Sequence, residues 1–177
     1  MNPLEIDGYL TQQKLSSVLK QITGTSWVGD ELKVPGSRQR WDMAFKVKST
    51  ICIVEYDGDE HYRNTIKIKS DINKDRVAKD NGFLVVRFPY WIQLNNQTLS
   101  HFFNLPGNLV QDFPHGFITT KIFPASFCEL GVERFVRELM EIPNFVKKDV
   151  INSLRDRSDE HGIEYVMPST LRYLLNS

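Results

Sequence analysis

Cysteine is scarce in this chain: Cys52 and Cys128 are the whole complement in 177 residues. Both sit inside apolar runs, so they read as core thiols and exclude a disulfide framework or a Cys/His zinc cluster. A reducing, cytoplasmic setting is the expectation that follows. Charge imbalance is also missing, with 22 basic and 22 acidic side chains and a net charge of zero. Composition alone therefore predicts no general attraction to nucleic acid or to a membrane surface. No run approaches the ~18 consecutive apolar residues of a transmembrane helix. The opening residues Met1 to Asp7 lack the basic-then-apolar design of a signal peptide. Repeats and low-complexity tracts are absent too, which leaves an ordinary globular protein with one full domain and a small appendage.

What is present concentrates in Ile51-Cys52-Ile53-Val54-Glu55-Tyr56-Asp57-Gly58-Asp59-Glu60-His61-Tyr62. Four apolar residues predict a buried strand, and its exit crowds Glu55, Asp57, Asp59 and Glu60 together. Carboxylates at i and i+2 on a strand share a face. Their charges repel unless a cation lies between them or one stays protonated. A divalent metal satisfies that need, and all-oxygen ligands favour magnesium or manganese over zinc.

Arg40 to Val47 predicts a second strand, with Lys48-Ser49-Thr50 as the turn into Ile51–Asp57. An even loop places Asp42 opposite Glu55 on the same face, whereas a three-residue loop sets Asp42 against Tyr56. The even loop is the expectation, because Asp42, Glu55 and Asp57 then converge on one side of one sheet. Against this stands the plainer reading, that Arg38, Arg40 or Lys46 neutralises these carboxylates at the surface.

The remaining elements are predicted from periodicity and caps. Leu15, Val18, Leu19 and Ile22 mark a helix with Thr11 as N-cap and Gly24 as terminator, after an irregular lead-in over residues 1–10. A short strand is predicted over 27–34, a helix from Ser70 or Asp71 to Asn81 with Asp71 as its cap, and a strand over Phe83–Phe88. Ile92–Phe103 holds a helix, residues 106–131 a packed loop region with a short strand at Gly116–Ile122, and three more helices cover 132–141, 144–157 and 169–175. Lys74 and Arg76 face either substrate phosphates or solvent, and Arg87 reaches a carboxylate or a phosphate. His61 reads as a metal ligand, proton shuttle, phosphate contact or simple surface histidine. The order helix, hairpin, helix, strand predicts an α/β fold, a mixed β-sheet flanked by helices.

Trp41-Asp42-Met43-Ala44-Phe45, Glu55-Tyr56-Asp57-Gly58 with His61, Asp71 with Lys74, and Gly82 to Phe88 follow one another in an order that resembles the PD-(D/E)XK nuclease superfamily. The similarity is to the branch near the very-short-patch-repair endonucleases and covers residues 35–92. It implies a restriction-endonuclease-like core over residues 1–100, with a small helical C-terminal extension over 101–177. It also implies a magnesium-dependent (or manganese-dependent) endonuclease acting on DNA, with Asp42, Glu55 and the carbonyl of Tyr56 on the ion. Asp57 and His61 complete the implied catalytic group, with His61 beside the scissile phosphate, and Lys74, Arg76 and Arg87 are the implied DNA contacts. The superfamily's Glu-x-Lys lysine is replaced here by Asp57, so Lys46 or Lys74 is left to supply that charge in space. The alternative is a nuclease-fold subunit that binds DNA or a protein without cutting, the C-terminal helices offering a surface for a protein partner.

Overall fold

The computed structural model describes residues 4–111, 116–119 and 121–176. Its centre is a four-stranded mixed sheet in the order β2-β3-β4-β5, comprising β2 (Trp27–Lys33), β3 (Arg40–Val47), β4 (Thr50–Asp57) and β5 (Leu84–Pro89). The first three strands run antiparallel, and β5 pairs parallel to β4. A parallel neighbour needs a crossover. It is supplied by the short helix α2 (Glu60–Arg63) and the long α3 (Thr65–Asp80). The predicted α/β architecture, a mixed sheet flanked by helices with further helices at the C-terminus, is the architecture observed.

The β3–β4 hairpin turns through Lys48 and Ser49, with Val47 opposite Thr50 and Met43 opposite Val54. Lys48 takes a left-handed φ of 55°, as the first position of a tight two-residue hairpin loop demands. The even loop is therefore correct, and continuing its register by one residue sets Asp42 opposite Glu55.

One large apolar core covers a face of the sheet. It joins Met43, Phe45, Cys52, Val54 and Phe88 to α1 (Gln12–Thr23), α4 (Asn96–Phe103), α5 (Glu129–Glu141), α6 (Asn144–His161) and α7 (Ile163–Val166). A smaller core of Val34, Trp41, Ala44, Ile53 and Ala78 lies between the sheet and α3. Burial raises the Cys52 thiol to about 11, so it is an inert core group. The C-terminal helices share the larger core with the sheet: Phe127 stacks on Tyr62 of α2, and Phe135 meets Phe127 edge-on.

Several sequence expectations change. The lead-in contains a strand, β1 (Leu4–Ile6), paired parallel with β6 (Leu109–Gln111); three residues are too short to show alternation, and the partner is remote in sequence. Helix α3 starts at Thr65, capped by the Asn64 side chain on the N–H groups of Ile66 and Lys67. Asp71 is thus a mid-helix residue and not a cap. Residues 116–119 form a 3-10 turn instead of a strand, while residue 120 lies outside the described residues. Gly116 packs so tightly on the Tyr90 carbonyl and Trp91 that a Cβ would overlap them. That contact, invisible locally, overrides the strand pattern. Helix 4 begins at Asn96, where Asn95 and Thr98 form a capping box. The last predicted helix is a 3-10 segment over Ser169–Asn176. No helix among the described residues is long and apolar enough to cross a membrane.

Candidate metal and phosphodiester site

The β3–β4 ladder changes character beyond Met43 and Val54. There the N–H of Asp42 donates to the Glu55 carboxylate at 3.1 Å, and the N–H of Tyr56 donates to the Asp42 carboxylate at 2.8 Å. These two backbone bonds lock both side chains at the open end of the hairpin. Glu55 is buried at 3% exposure and Asp42 is half-buried.

Among the described residues one cation is in direct contact with this pair, while His61 and Arg87 act on it from further away. Lys74 comes from α3, sets Nζ 2.7 Å from Glu55 Oε1, and rests 4.9 Å from the centre of the Trp41 ring. Neutralisation is incomplete. Burial raises the proton affinity of Asp42 despite the Tyr56 N–H and the charge of Lys74. Burial and then the neighbouring Asp42 raise that of Glu55, against Lys74. Two adjacent oxygen donors short of positive charge form the ligand set a hard divalent cation prefers. The Tyr56 side chain points away from this pair, its hydroxyl donating to the Leu10 carbonyl at 2.9 Å, so only its backbone is near the carboxylates.

Asp57 has a different fate. It is fully buried and accepts from Arg87 Nη1 at 2.7 Å and from Arg134 Nη2, while His61 Nδ1 lies 3.0 Å away. Burial alone would raise its proton affinity, but Arg87, His61 and Arg134 hold the carboxyl far below the usual range. His61 Nδ1 also bonds Asp71 Oδ2 at 2.6 Å. Burial works against its charge, yet hydrogen bonds to Asp57 and Asp71 raise His61 to about 9. Arg87 makes a second, forked contact to Asp75 at 2.8–3.0 Å. Arg134 spans Asp71 at 3.1 Å and Glu138 at 2.7 Å, and Glu138 accepts from the Tyr62 hydroxyl at 2.6 Å.

Asp57, His61 and Asp71 offer ligand atoms within 4.8 Å of one another, a spacing a metal could use. Two guanidinium groups already fill the carboxylates' acceptor positions, however, and an incoming ion would have to expel them. This group is a buried ion-pair hub that fixes the imidazole of His61 through Nδ1. Nε2 is the ring nitrogen that none of these bonds uses.

The other sequence candidates are distributed unevenly. Asp42, Glu55 and Lys74 come together, and His61 is near enough for its charge to favour the Asp42 carboxylate. Lys46 is exposed and pairs across the hairpin with Ile51, so Lys74 is the lysine at the carboxylates. Arg76 lies on the exposed side of α3, bonded to Asn73 at 2.8 Å and 3.8 Å from Asp80. Arg87 reaches carboxylates. Arg38 is exposed, and Arg40 pairs with Glu31 at 3.3 Å, so neither neutralises the Asp42–Glu55 pair.

Arg134, Asp75 and Glu138 were not singled out from sequence. Asp75 had a signal, standing four residues after Asp71 and one turn of helix along. Arg134 had one only in retrospect: it is a charge three residues after Gly131 on an otherwise apolar helix face. Gly131 lets α5 approach α2 closely, since a Cβ there would overlap the Tyr62 carbonyl oxygen. Comparison of the chain with protein-family models, with curated proteins and with solved structures returned no match to any of them.

Proposed function

We propose that this chain is a metal-dependent endonuclease of the PD-(D/E)XK type that hydrolyses DNA phosphodiester bonds at Asp42, Glu55, Lys74 and His61. The observation that carries the reading is the Asp42–Glu55 pair, a half-buried and a buried carboxylate locked by backbone N–H groups, with one ammonium group in contact at Glu55. A non-catalytic core has no reason to hold such a pair short of positive charge. Two carboxylates with the nearby Tyr56 carbonyl suit magnesium or manganese. Bound there, the ion would polarise a phosphate oxygen and make water a better nucleophile.

The protein's own groups do the rest. Lys74 stands 2.7 Å from Glu55, the place where a lysine beside the second carboxylate would orient the attacking water or hold the phosphate. It takes over the charge that Asp57 cannot supply. Asp57 acts through His61, keeping the ring oriented and protonated. A histidine that titrates near 9 is a hydrogen-bond donor at neutral pH, so His61 would donate through Nε2 to the phosphate or to the departing oxygen.

The test is incubation of the purified protein with supercoiled and linear DNA and Mg²⁺ or Mn²⁺. Cleavage by the wild type should fall by about 100-fold or more in Asp42→Asn and Glu55→Gln. Absent cleavage, or cleavage undiminished in both variants, would overturn the reading. Mn²⁺ binding lost in both variants, without any cleavage, would leave a metal-binding subunit that does not cut.

A further inference from the structure

Trp41 is fully buried in the small core between the sheet and α3, among Val34, Ala44, Ile53 and Ala78. Packing alone does not account for it. Its indole Nε1 is buried and meets no acceptor among the described residues. A buried donor left unpaired is a cost that a phenylalanine or a leucine in the same place would not carry. What the indole adds is its face, which attracts a cation more strongly than the other aromatic rings do. Trp91 carries the same unpaired Nε1, and its ring meets Phe117 and Phe135. The ring of Trp41 meets a charge: the ammonium of Lys74 lies over it, 4.9 Å from the centre.

Lys74 is buried too, and its ammonium has three N–H donors. One of them goes to Glu55 Oε1 at 2.7 Å, and no other described group accepts from Nζ. The same Oε1 accepts the Asp42 N–H at 3.1 Å, while Asp42 Oδ2 accepts the Tyr56 N–H at 2.8 Å. Each carboxylate therefore has one oxygen anchored. Oε2 of Glu55 and Oδ1 of Asp42 are engaged by no described group.

Lys74 would be repelled by a divalent cation bound through those two oxygens. Its hold on Glu55 would weaken at the same moment, because that carboxylate would be shared. The face of Trp41 is an attraction for which a hard, oxygen-seeking cation does not compete. It is also fixed in place, since the ring is wedged in the core.

We propose that Trp41 is a positioning residue for Lys74. Its indole face keeps the ammonium beside Glu55 when a divalent cation shares that carboxylate, and it leaves N–H donors of Nζ free for a phosphate oxygen of the substrate. This role rests on the metal-dependent nuclease reading above.

The test replaces Trp41 alone with mono-, di- and trifluorotryptophan, which drain charge from the π face and nearly keep the shape of the ring. One readout is independent of cleavage. The ε-methylene protons of Lys74 lie in the ring current of Trp41 and should resonate upfield of an ordinary lysine. On saturation with Mg²⁺ they should stay displaced in the wild type and move towards the ordinary position in the trifluoro protein. The second readout is DNA cleavage: kcat should fall stepwise along the series, by about tenfold at its end, with KM and melting temperature unchanged. A tryptophan that only packs would leave kcat unmoved across the series. That result would overturn the role of Trp41 and leave the nuclease reading standing, as would Lys74 protons that lose their displacement in the wild type when Mg²⁺ binds. Metal binding without any cleavage would overturn the nuclease reading, and the Lys74 protons would then decide the hold of Trp41 by themselves. A chain that binds neither Mg²⁺ nor Mn²⁺ would overturn both.

Discussion

Asp42 and Glu55 hold each other's strands: Glu55 accepts the N–H of Asp42, and Asp42 accepts the N–H of the residue following Glu55. Carboxylates used in this way are part of the sheet and part of a charged site at once. Their cost is visible in the proton affinity of both groups, raised by burial that Lys74 only partly offsets. A group whose folded-state affinity for protons is raised is more stabilising at low pH, and that stability is lost as pH rises through its folded value.

Asp42→Asn should therefore stabilise the metal-free protein at pH 7, by about 1 kcal/mol, because the amide oxygen can still accept the Tyr56 N–H without carrying charge. The difference from wild type should close as pH falls towards ~3.9, where an unfolded-state aspartate is itself protonated. Thermal melts between pH 4 and 8 measure it. Equal or lower melting temperature for the variant at pH 7 would show that the pair is already compensated.

Lys74→Met should do the opposite. Glu55 would lose its ion-pair partner in a buried setting, at a cost of about 3 kcal/mol. Added Mn²⁺ should then raise the melting temperature more in the variant than in the wild type, as the ion takes the place of the ammonium. On the proposed nuclease reading, DNA cleavage should remain low even with metal bound. The informative comparison is the metal-dependent shift in melting temperature alongside the cleavage rate.

The His61 ring should titrate near 9 by proton NMR, well above an ordinary histidine. Its raised value means a stabilising contribution fully present below about 6.5 and lost as pH climbs through 9. Asp57 and Asp71 are lowered, so their contribution holds above about 3.9 and is lost in acid. Wild-type stability should fall between pH 7 and 9.5, and His61→Asn should flatten that slope. A ring that titrates below 7 would mean the imidazole is not held between two ionised carboxylates.

Gly131→Ala tests how α5 reaches the hub. The added methyl would collide with the Tyr62 carbonyl, and relief requires α5 to move away. A loss of about 2–4 kcal/mol is expected, measured by urea unfolding. If the proposed nuclease reading holds, DNA cleavage should fall with it at temperatures where the protein is still folded, since Arg134 would be drawn away from Asp57 and Asp71. Retained stability would show that the helices have slack at this contact.

Local pattern marked both strands of the hairpin but left the loop parity open; the even loop was expected only because it lets the carboxylates converge, and the observed register bears it out. A two-residue loop and period-two alternation set the parity of β3 against β4, and that parity alone puts Asp42 beside Glu55. The helix over Gln12–Thr23, with Thr11 as cap and Gly24 after it, was equally legible because capping and the 3.6-residue period act over a few residues. Asp71 shows the limit of such reasoning. An aspartate ahead of an apolar stretch looks like a cap, and only the three-dimensional approach of His61 and Arg134 made it an interior ion-pair partner.

Tertiary structure decided which cation meets which anion. Lys74 faces Glu55 because of how α3 is rotated on the sheet, and Arg87 turns to Asp57 and Asp75 because the same helix brings Asp75 alongside β5. Arg134 arrives from a helix 77 residues further along the chain than Asp57. Ion pairs have no sequence period, since Coulomb attraction depends on distance in space and on the exclusion of water, and both exist only after the core has closed. The sequence by itself determined that Asp42, Glu55 and Asp57 lie on neighbouring strands where an even loop would gather them. Packing determined that Asp57 receives two arginines, while Glu55, beside Asp42, receives one lysine.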